Sequence, residues 1–322
     1  MCNKIGQTLI KIYKEFCGGL LMNKLQISIE PVLRILPQKI ALAVAKYNVE
    51  EIRLIANKPV TVFMDGGSYY ISAVGDITQS AGSGITITPS GINEVFKAAC
   101  GGSVYAVEEE LKHGFVTIEG GHRIGICGTA VMKSGEVTYI KHISALNIRV
   151  AKQAIGSSKD IIPIIYDKFA RNTLIVSPPG CGKTTMLRDI ARVLGSRYKI
   201  GIADERSEIA ACYMGVPQTD VGERTVVMDL CPKAQAINML IRTMGVELII
   251  TDEIGSPEDV KAIKNAFGSG IKVIASAHGY CANDITENPY LSQLTKRGFE
   301  RIITLSRRYG VGSIEEVNHF DN

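Results

Sequence analysis

From about Ser157 onward, short apolar runs alternate with helix-length stretches, and this alternation limits the possible folds more than any other feature. Thr173-Leu174-Ile175-Val176, Lys199 to Ala203, Leu248 to Thr251 and Lys272 to Ser276 have the length and branched content of buried strands. Helical stretches lie between them, one from Thr184 to Leu194 and another expected from a Ser157-Ser158 cap through Phe169. Strands apolar on both faces and joined by helices make a parallel sheet covered on both sides. Ligands of such sheets bind beyond the carboxyl ends of the strands. Chemistry is therefore sought in the residues that follow each run.

The first run leads into Ser177-Pro178-Pro179-Gly180-Cys181-Gly182-Lys183-Thr184-Thr185. This is the phosphate-loop pattern G-x-x-x-x-G-K-[ST], with Ser177 in place of the first glycine. Backbone N–H groups must curl around a polyphosphate, and small residues at Gly180 and Gly182 let the backbone come close. Pro179, Gly180, Cys181, Gly182, Lys183, Thr184 and Thr185 form the expected cradle. Lys183 would neutralise the β- and γ-phosphates and Thr184 would offer its hydroxyl to Mg²⁺. The helix that follows points its positive end at the anion.

Each later run also ends in reactive groups. Asp252 and Glu253 follow the third run, Asp252 suited to hold Mg²⁺ through water and Glu253 to orient or deprotonate an attacking water. Alone, such a pair is a solvated turn; beside a phosphate loop in one sheet it is the second half of a site. Asp204-Glu205-Arg206-Ser207-Glu208 follows the second run and His278-Gly279 the fourth. His278 is placed either to donate to a γ-phosphate oxygen or to satisfy backbone groups.

The first half reads differently. Ile35 to Tyr47 has helical spacing, and Glu51 to Ile55 and Val60 to Phe63 are short strands around an Asn57-Lys58-Pro59 turn. Asn93 to Cys100 is helical and stops at Gly101-Gly102. Phe115 to Ile118, Arg123 to Cys127 and Ala145 to Val150 read as strands. This is an α+β segment. With 322 residues, the chain exceeds the ~250–300 that one core serves. The expected division is an N-terminal extension over 1–30, an α+β domain over 31–152 and a nucleotide-binding α/β domain over 153–322. In the extension, Lys4, Lys11, Lys14 and Lys24 alternate with Ile5, Leu9, Ile12 and Phe16. A membrane-surface helix, a packing helix and sequence upstream of a start at Met22 all fit that pattern.

Composition narrows the partners. A net charge of +4 is too small for an obligate nucleic-acid coat protein. No stretch approaches the ~18–20 uncharged apolar residues of a membrane span. The eight cysteines are scattered without a C-x-x-C pair, which points to reduced thiols and a cytoplasmic setting.

Several stretches together resemble the stage III sporulation AA family, in the secretion-ATPase branch of the RecA/AAA-type NTPases. They are Glu51-Ile52-Arg53-Leu54, Gly121-His122-Arg123-Ile124-Gly125, Leu146-Asn147-Ile148-Arg149, Asp204 to Ala210, Asp229-Leu230-Cys231-Pro232-Lys233-Ala234, Asp252-Glu253-Ile254-Gly255 and Ala277-His278-Gly279. The Asp204 and Asp229 stretches discriminate best, because a generic phosphate-loop protein has no need of them. The resemblance implies a RecA-like core after a smaller α+β domain, and a Mg²⁺-dependent ATPase similar to the motors of secretion and pilus machines. It makes Glu205 a second candidate for positioning water, since Asp204-Glu205 occupies the place of the relatives' acidic box; relatives often carry Gly-Glu where this chain has Asp252-Glu253, which leaves the main base open between Glu253 and Glu205. Arg123 and Arg149 resemble the family's inter-subunit arginines, with Arg224 and Arg242 as lesser candidates. It further implies a hexameric ring in which hydrolysis rocks one domain against the other. The ring would work at the mother-cell face of a forespore channel, peripheral to the membrane through a platform protein. The alternative is a nucleic-acid translocase on the same core, favoured by Lys296-Arg297, Arg301 and Arg307-Arg308. Against it stand 6% aromatics and no Trp for base stacking.

Overall fold

The computed structural model describes residues 27–102, 107–133, 135–295 and 298–320. The basic N-terminal stretch through Lys24, Met22 within it, and Lys296-Arg297 lie outside the described residues. The chain divides into two compact units, the first ending at Gln153 and the second starting at Ala154.

In the first unit, helical spacing from Ile35 resolves into two helices, Glu30–Ile35 and Gln38–Val44. Pro37 causes the break: a residue before proline avoids the helical region, and Leu36 is extended at φ −82°, ψ 148°. The helix Pro89–Ala99 starts earlier than its apolar spacing suggests. Thr88 caps it by accepting the Gly91 N–H at 3.1 Å, and Pro89 fills the first turn, where no N–H is needed. The strands are β1 (Glu51–Ile55), β2 (Thr61–Met64), β3 (Gly67–Ile71), β4 (Ile77–Thr78), β5 (Phe115–Ile118), β6 (His122–Lys133) and β7 (Glu136–Arg149). They form one antiparallel sheet in the order β4-β3-β2-β1-β7-β6-β5. Ile52, Leu54, Ile124, Leu146 and Ile148 bury one face against Val32, Leu33, Ile92 and Val95 of the helices.

The β6–β7 hairpin runs well beyond the strands expected at Arg123–Cys127 and Ala145–Val150. Past Cys127 the register shifts, and Thr129, Ala130, Met132, Lys133, Tyr139 and Lys141 are exposed. A ribbon with both faces in water needs no apolar alternation, so its sequence carries no strand signal.

The second unit contains β8 (Thr173–Ser177), β9 (Ile200–Asp204), β10 (Thr225–Asp229), β11 (Leu248–Thr251), β12 (Lys272–His278), β13 (Arg301–Ser306) and β14 (Ser313–His319). Their order is β10-β9-β11-β12-β8-β13-β14, parallel throughout except for the antiparallel edge strand β14. Successive residues feed opposite layers. Leu174, Val176, Ile249, Val273 and Ala275 pack with the helices Lys233–Thr243 and Pro257–Gly268. Ile175, Leu248, Ile250 and Ile274 pack with the helix Lys183–Leu194. Full burial on both faces explains why these strands were readable as unbroken apolar runs.

The helix expected from Ser157 through Phe169 shrinks to Ile162–Ile165. Ser158 caps nothing there. Its N–H and Oγ both donate to the buried Asp189 Oδ2, at 2.8 and 2.6 Å, which anchors the segment on the helix Lys183–Leu194.

Candidate active site

The loop after β8 begins in strand geometry. Ser177 pairs with His278 in the parallel register of β8 and β12, so an extended residue suffices where the motif has its first glycine. Ser177 is fully buried, and its Oγ donates to the Pro178 carbonyl at 2.9 Å. Gly180 and Gly182 have positive φ of 73° and 85°, conformations that glycine reaches without strain. Gly182 leads directly into the helix Lys183–Leu194, whose first turn has no side-chain cap. Its N–H groups and positive dipole end face the loop, the arrangement that binds anions.

Lys183 is buried within this loop. Its Nζ donates to the Ser177 carbonyl at 2.8 Å, the Pro178 carbonyl at 3.2 Å and Ser177 Oγ at 3.3 Å, and lies 3.3 Å from His278 Nδ1. All four partners are neutral. Burial pulls the ammonium pKa below its ordinary value, opposed by attraction to Glu253. A cation held by neutral acceptors gains strongly when phosphate oxygens replace them.

An ammonium has no lone pair, so His278 Nδ1 must be the acceptor and the ring proton sits on Nε2. That proton points to Glu253 Oε1 at 3.0 Å, and Arg206 Nη1 holds Glu253 Oε2 at 2.8 Å. The main chain of Glu253 is fixed as well: its N–H donates to Ser276 Oγ at 3.1 Å and its carbonyl accepts from Lys233 Nζ at 3.0 Å. Its φ of 45° is costly for a non-glycine residue, and these contacts hold it there. Lys183, His278, Glu253 and Arg206 thus form one hydrogen-bonded chain across four strand ends.

Asp252 is buried, and its Oδ2 has no hydrogen-bond partner. Its pKa is pushed up to about 7, first by burial and next by the Asp204 carboxylate. An orphaned buried carboxylate oxygen fits a role as a Mg²⁺ ligand, with Thr184, in the first turn of the helix Lys183–Leu194, as the hydroxyl ligand the motif supplies. Asp204 works locally: it accepts the N–H groups of Glu208, Ile209 and Ala210 at 2.8, 3.0 and 2.8 Å, shaping the loop after β9. Glu205 is half exposed and faces Lys233 at 3.6 Å. Glu205, Arg206, Lys233, Asp252 and Glu253 line a cavity of about 410 Å³ at the starts of the helices Lys233–Thr243 and Pro257–Gly268.

The fold therefore brings together Lys183, His278, Glu253, Asp252 and Glu205. It also adds Arg206 and Lys233, which the sequence reading quoted without giving either a role. Their signal was present, since both sit in the two most discriminating stretches. Arg123 and Arg149 belong to the other unit, directly opposite each other on β6 and β7. Arg149 Nε lies 3.5 Å from Glu51, and the Arg123 guanidinium sits 3.6 Å above the Phe115 ring. Arg242 ends the helix that Lys233 begins, and Arg224 precedes β10 on the surface. The described residues of the basic run counted for nucleic acid all have contacts within the fold. Arg301 donates to the Glu300 carbonyl, Arg307 to Gly180 and Arg308 pairs with Glu315. Among the described residues, no helix is long and apolar enough to cross a membrane.

A family model described as "Sporulation stage III, protein AA" matches residues 24–320. Stage III sporulation protein AA of Bacillus subtilis is 40% identical over 276 residues, covering 84% of this chain and 86% of that protein. Among solved structures, the pilus retraction motor PilT with bound ADP superposes with a TM-score of 0.56 at 17% identity, covering 85% of this chain and 77% of that one. The ATPase DotB of Legionella pneumophila superposes at 0.54 and 16% identity, covering 85% and 75%. The fold is thus an α/β RecA-like core with a preceding N-terminal domain, as in those ATPases.

Proposed function

The chain belongs to the sporulation stage III protein AA family, and on that premise we propose that it is a Mg²⁺-dependent ATPase of the secretion-motor kind. The observation that carries this is the Lys183 ammonium, buried beneath a glycine loop and a helix N-terminus and bound only to neutral acceptors. Triphosphate oxygens would displace those acceptors. Lys183 would then leave His278 Nδ1, so that phosphate arrival is felt at Glu253 through the imidazole. Glu253 orients the attacking water and takes its proton, with Glu205 as the second carboxylate for that work. Mg²⁺, held by Thr184 and Asp252, would supply charge neutralisation at the phosphates.

The domain division at about residue 152, a hexameric ring, and hydrolysis at shared interfaces belong to the same reading. Arg123 and Arg149 would serve a neighbouring subunit's transition state, which needs the contact geometry of a closed ring. Work at a mother-cell to forespore channel, peripheral to the membrane through a platform protein, follows from the family. Purified chain should hydrolyse ATP with a rate per subunit that climbs steeply with protein concentration, and Lys183→Ala should remove both binding and turnover. Equal turnover in the Lys183→Ala protein would overturn the proposal.

A further inference from the structure

The turn between β13 and β14, residues 307–312, closes over the phosphate loop. Arg307 Nε and Nη2 both donate to the Gly180 carbonyl, at 3.0 and 2.7 Å. A Cβ at Gly180 would lie 2.6 Å from Arg307 Nη2, and one at Gly182 would lie 3.0 Å from Val311 Cγ1. Positive φ demands glycine at both positions, and the side chains of the turn rest directly above them. Among the described residues Arg307 makes no ion pair. A permanently charged fork rests on one neutral carbonyl, at the edge of a loop shaped for phosphate. Its two parallel N–H groups suit phosphate oxygens far better, because the acceptors then carry charge.

Strand order decides which phosphates are within its reach. β8 lies between β12 and β13. Asp252 and Glu253 follow β11 and His278 ends β12, so the phosphate that is attacked lies on that side. Arg307 arrives from the β13 side, beside a cavity of about 460 Å³ lined by Ile161, Met186, Tyr309 and Val311. That space suits a nucleoside. We infer that Arg307 is a second phosphate-binding residue of this site, gripping the α- and β-phosphates that remain with the product. Nucleotide binding transfers its fork from the Gly180 carbonyl to those oxygens. The inference rests on the nucleotide-site reading proposed above.

The test uses the full chain as wild type, Arg307→Gln, Arg307→Lys and Lys183→Ala, titrated with fluorescent ADP and a fluorescent non-hydrolysable ATP analogue. ³¹P spectra of bound ADP and steady-state kinetics accompany the titrations. Arg307→Gln should weaken both nucleotides by about ten- to hundredfold, the range for a charge-assisted contact. KM should rise in step while kcat stays within about threefold, the signature of uniform binding. The α- and β-phosphorus resonances should move, and Arg307→Lys should recover part of the affinity. Unchanged affinities, a loss confined to the triphosphate analogue, or a lysine variant as weak as glutamine with unmoved resonances would each overturn the inference. If Lys183→Ala binds as wild type does, the nucleotide-site reading itself fails. Binding that depends on Lys183 but ignores Arg307→Gln sinks this inference alone.

Discussion

At Asp252 the carboxyl holds its proton to about pH 7, against an ordinary value of 3.8. At this group the folded state therefore binds more proton than the unfolded chain between those values, and its contribution to stability falls as pH rises through that window. Asp204, raised by burial, acts in the same sense; His122, lowered by burial, acts in the opposite one. The measurement is accordingly a difference. Asp252→Asn should gain stability over wild type between pH 4 and pH 7, by on the order of 4 kcal/mol at the upper end. Parallel melting curves across that range would refute the assignment. At this scale the phosphate loop, Asp252, Glu253 and His278 were legible because each follows its own apolar run directly. Arg206 and Lys233 were not assigned roles, since each acts through Glu253, 47 and 20 residues away in sequence.

Elements were legible where burial left a period and illegible where it did not. β8, β9 and β11 are buried at every position, so their runs stand out. β10 is half-buried throughout and β14 mixes half-buried with exposed positions, and neither shows an alternation that fixes it. Two close contacts tie elements together. Gly222 (φ 96°) passes the end of the helix Lys183–Leu194 so closely that an added Cβ would lie 2.8 Å from Gly195 Cα and 2.9 Å from the Ala191 carbonyl. Gly222→Ala should cost at least about 2 kcal/mol from backbone strain and overpacking, read as a fall in the denaturation midpoint. A neutral result would mean that the loop moves aside freely. The β6–β7 ribbon has the reverse character. Its pairs from Thr129 to Lys141 lie outside the apolar core, whereas Leu146 and Ile148 sit inside it. Amides of 129–141 should exchange with solvent well before those of 145–149; equal protection would show that something covers the ribbon in solution.

For the molecule as a whole, two units were implied by length and a covered parallel sheet by the strand-helix alternation, while the RecA-like core and assembly were implied only by the family resemblance. The proposed ring bears on Arg123 and Arg149, whose guanidinium-bearing side chains face the same side of neighbouring strands. Arg149→Ala should lower turnover at least about tenfold, as for a transition-state arginine, while nucleotide affinity stays close to wild type. Parallel loss of binding would trace the defect to folding instead. The order of the second sheet has a further consequence for how the protein is made. β8 carries the phosphate loop near the beginning of its unit, yet both neighbours that flank it, β12 and β13, come at least 95 residues later. A nascent chain leaving the ribosome thus carries its glycine loop on an unpaired strand until β12 and β13 have emerged. The loop gains its flanking strands late and in turn, His278 arriving with β12 before Arg307 arrives behind β13.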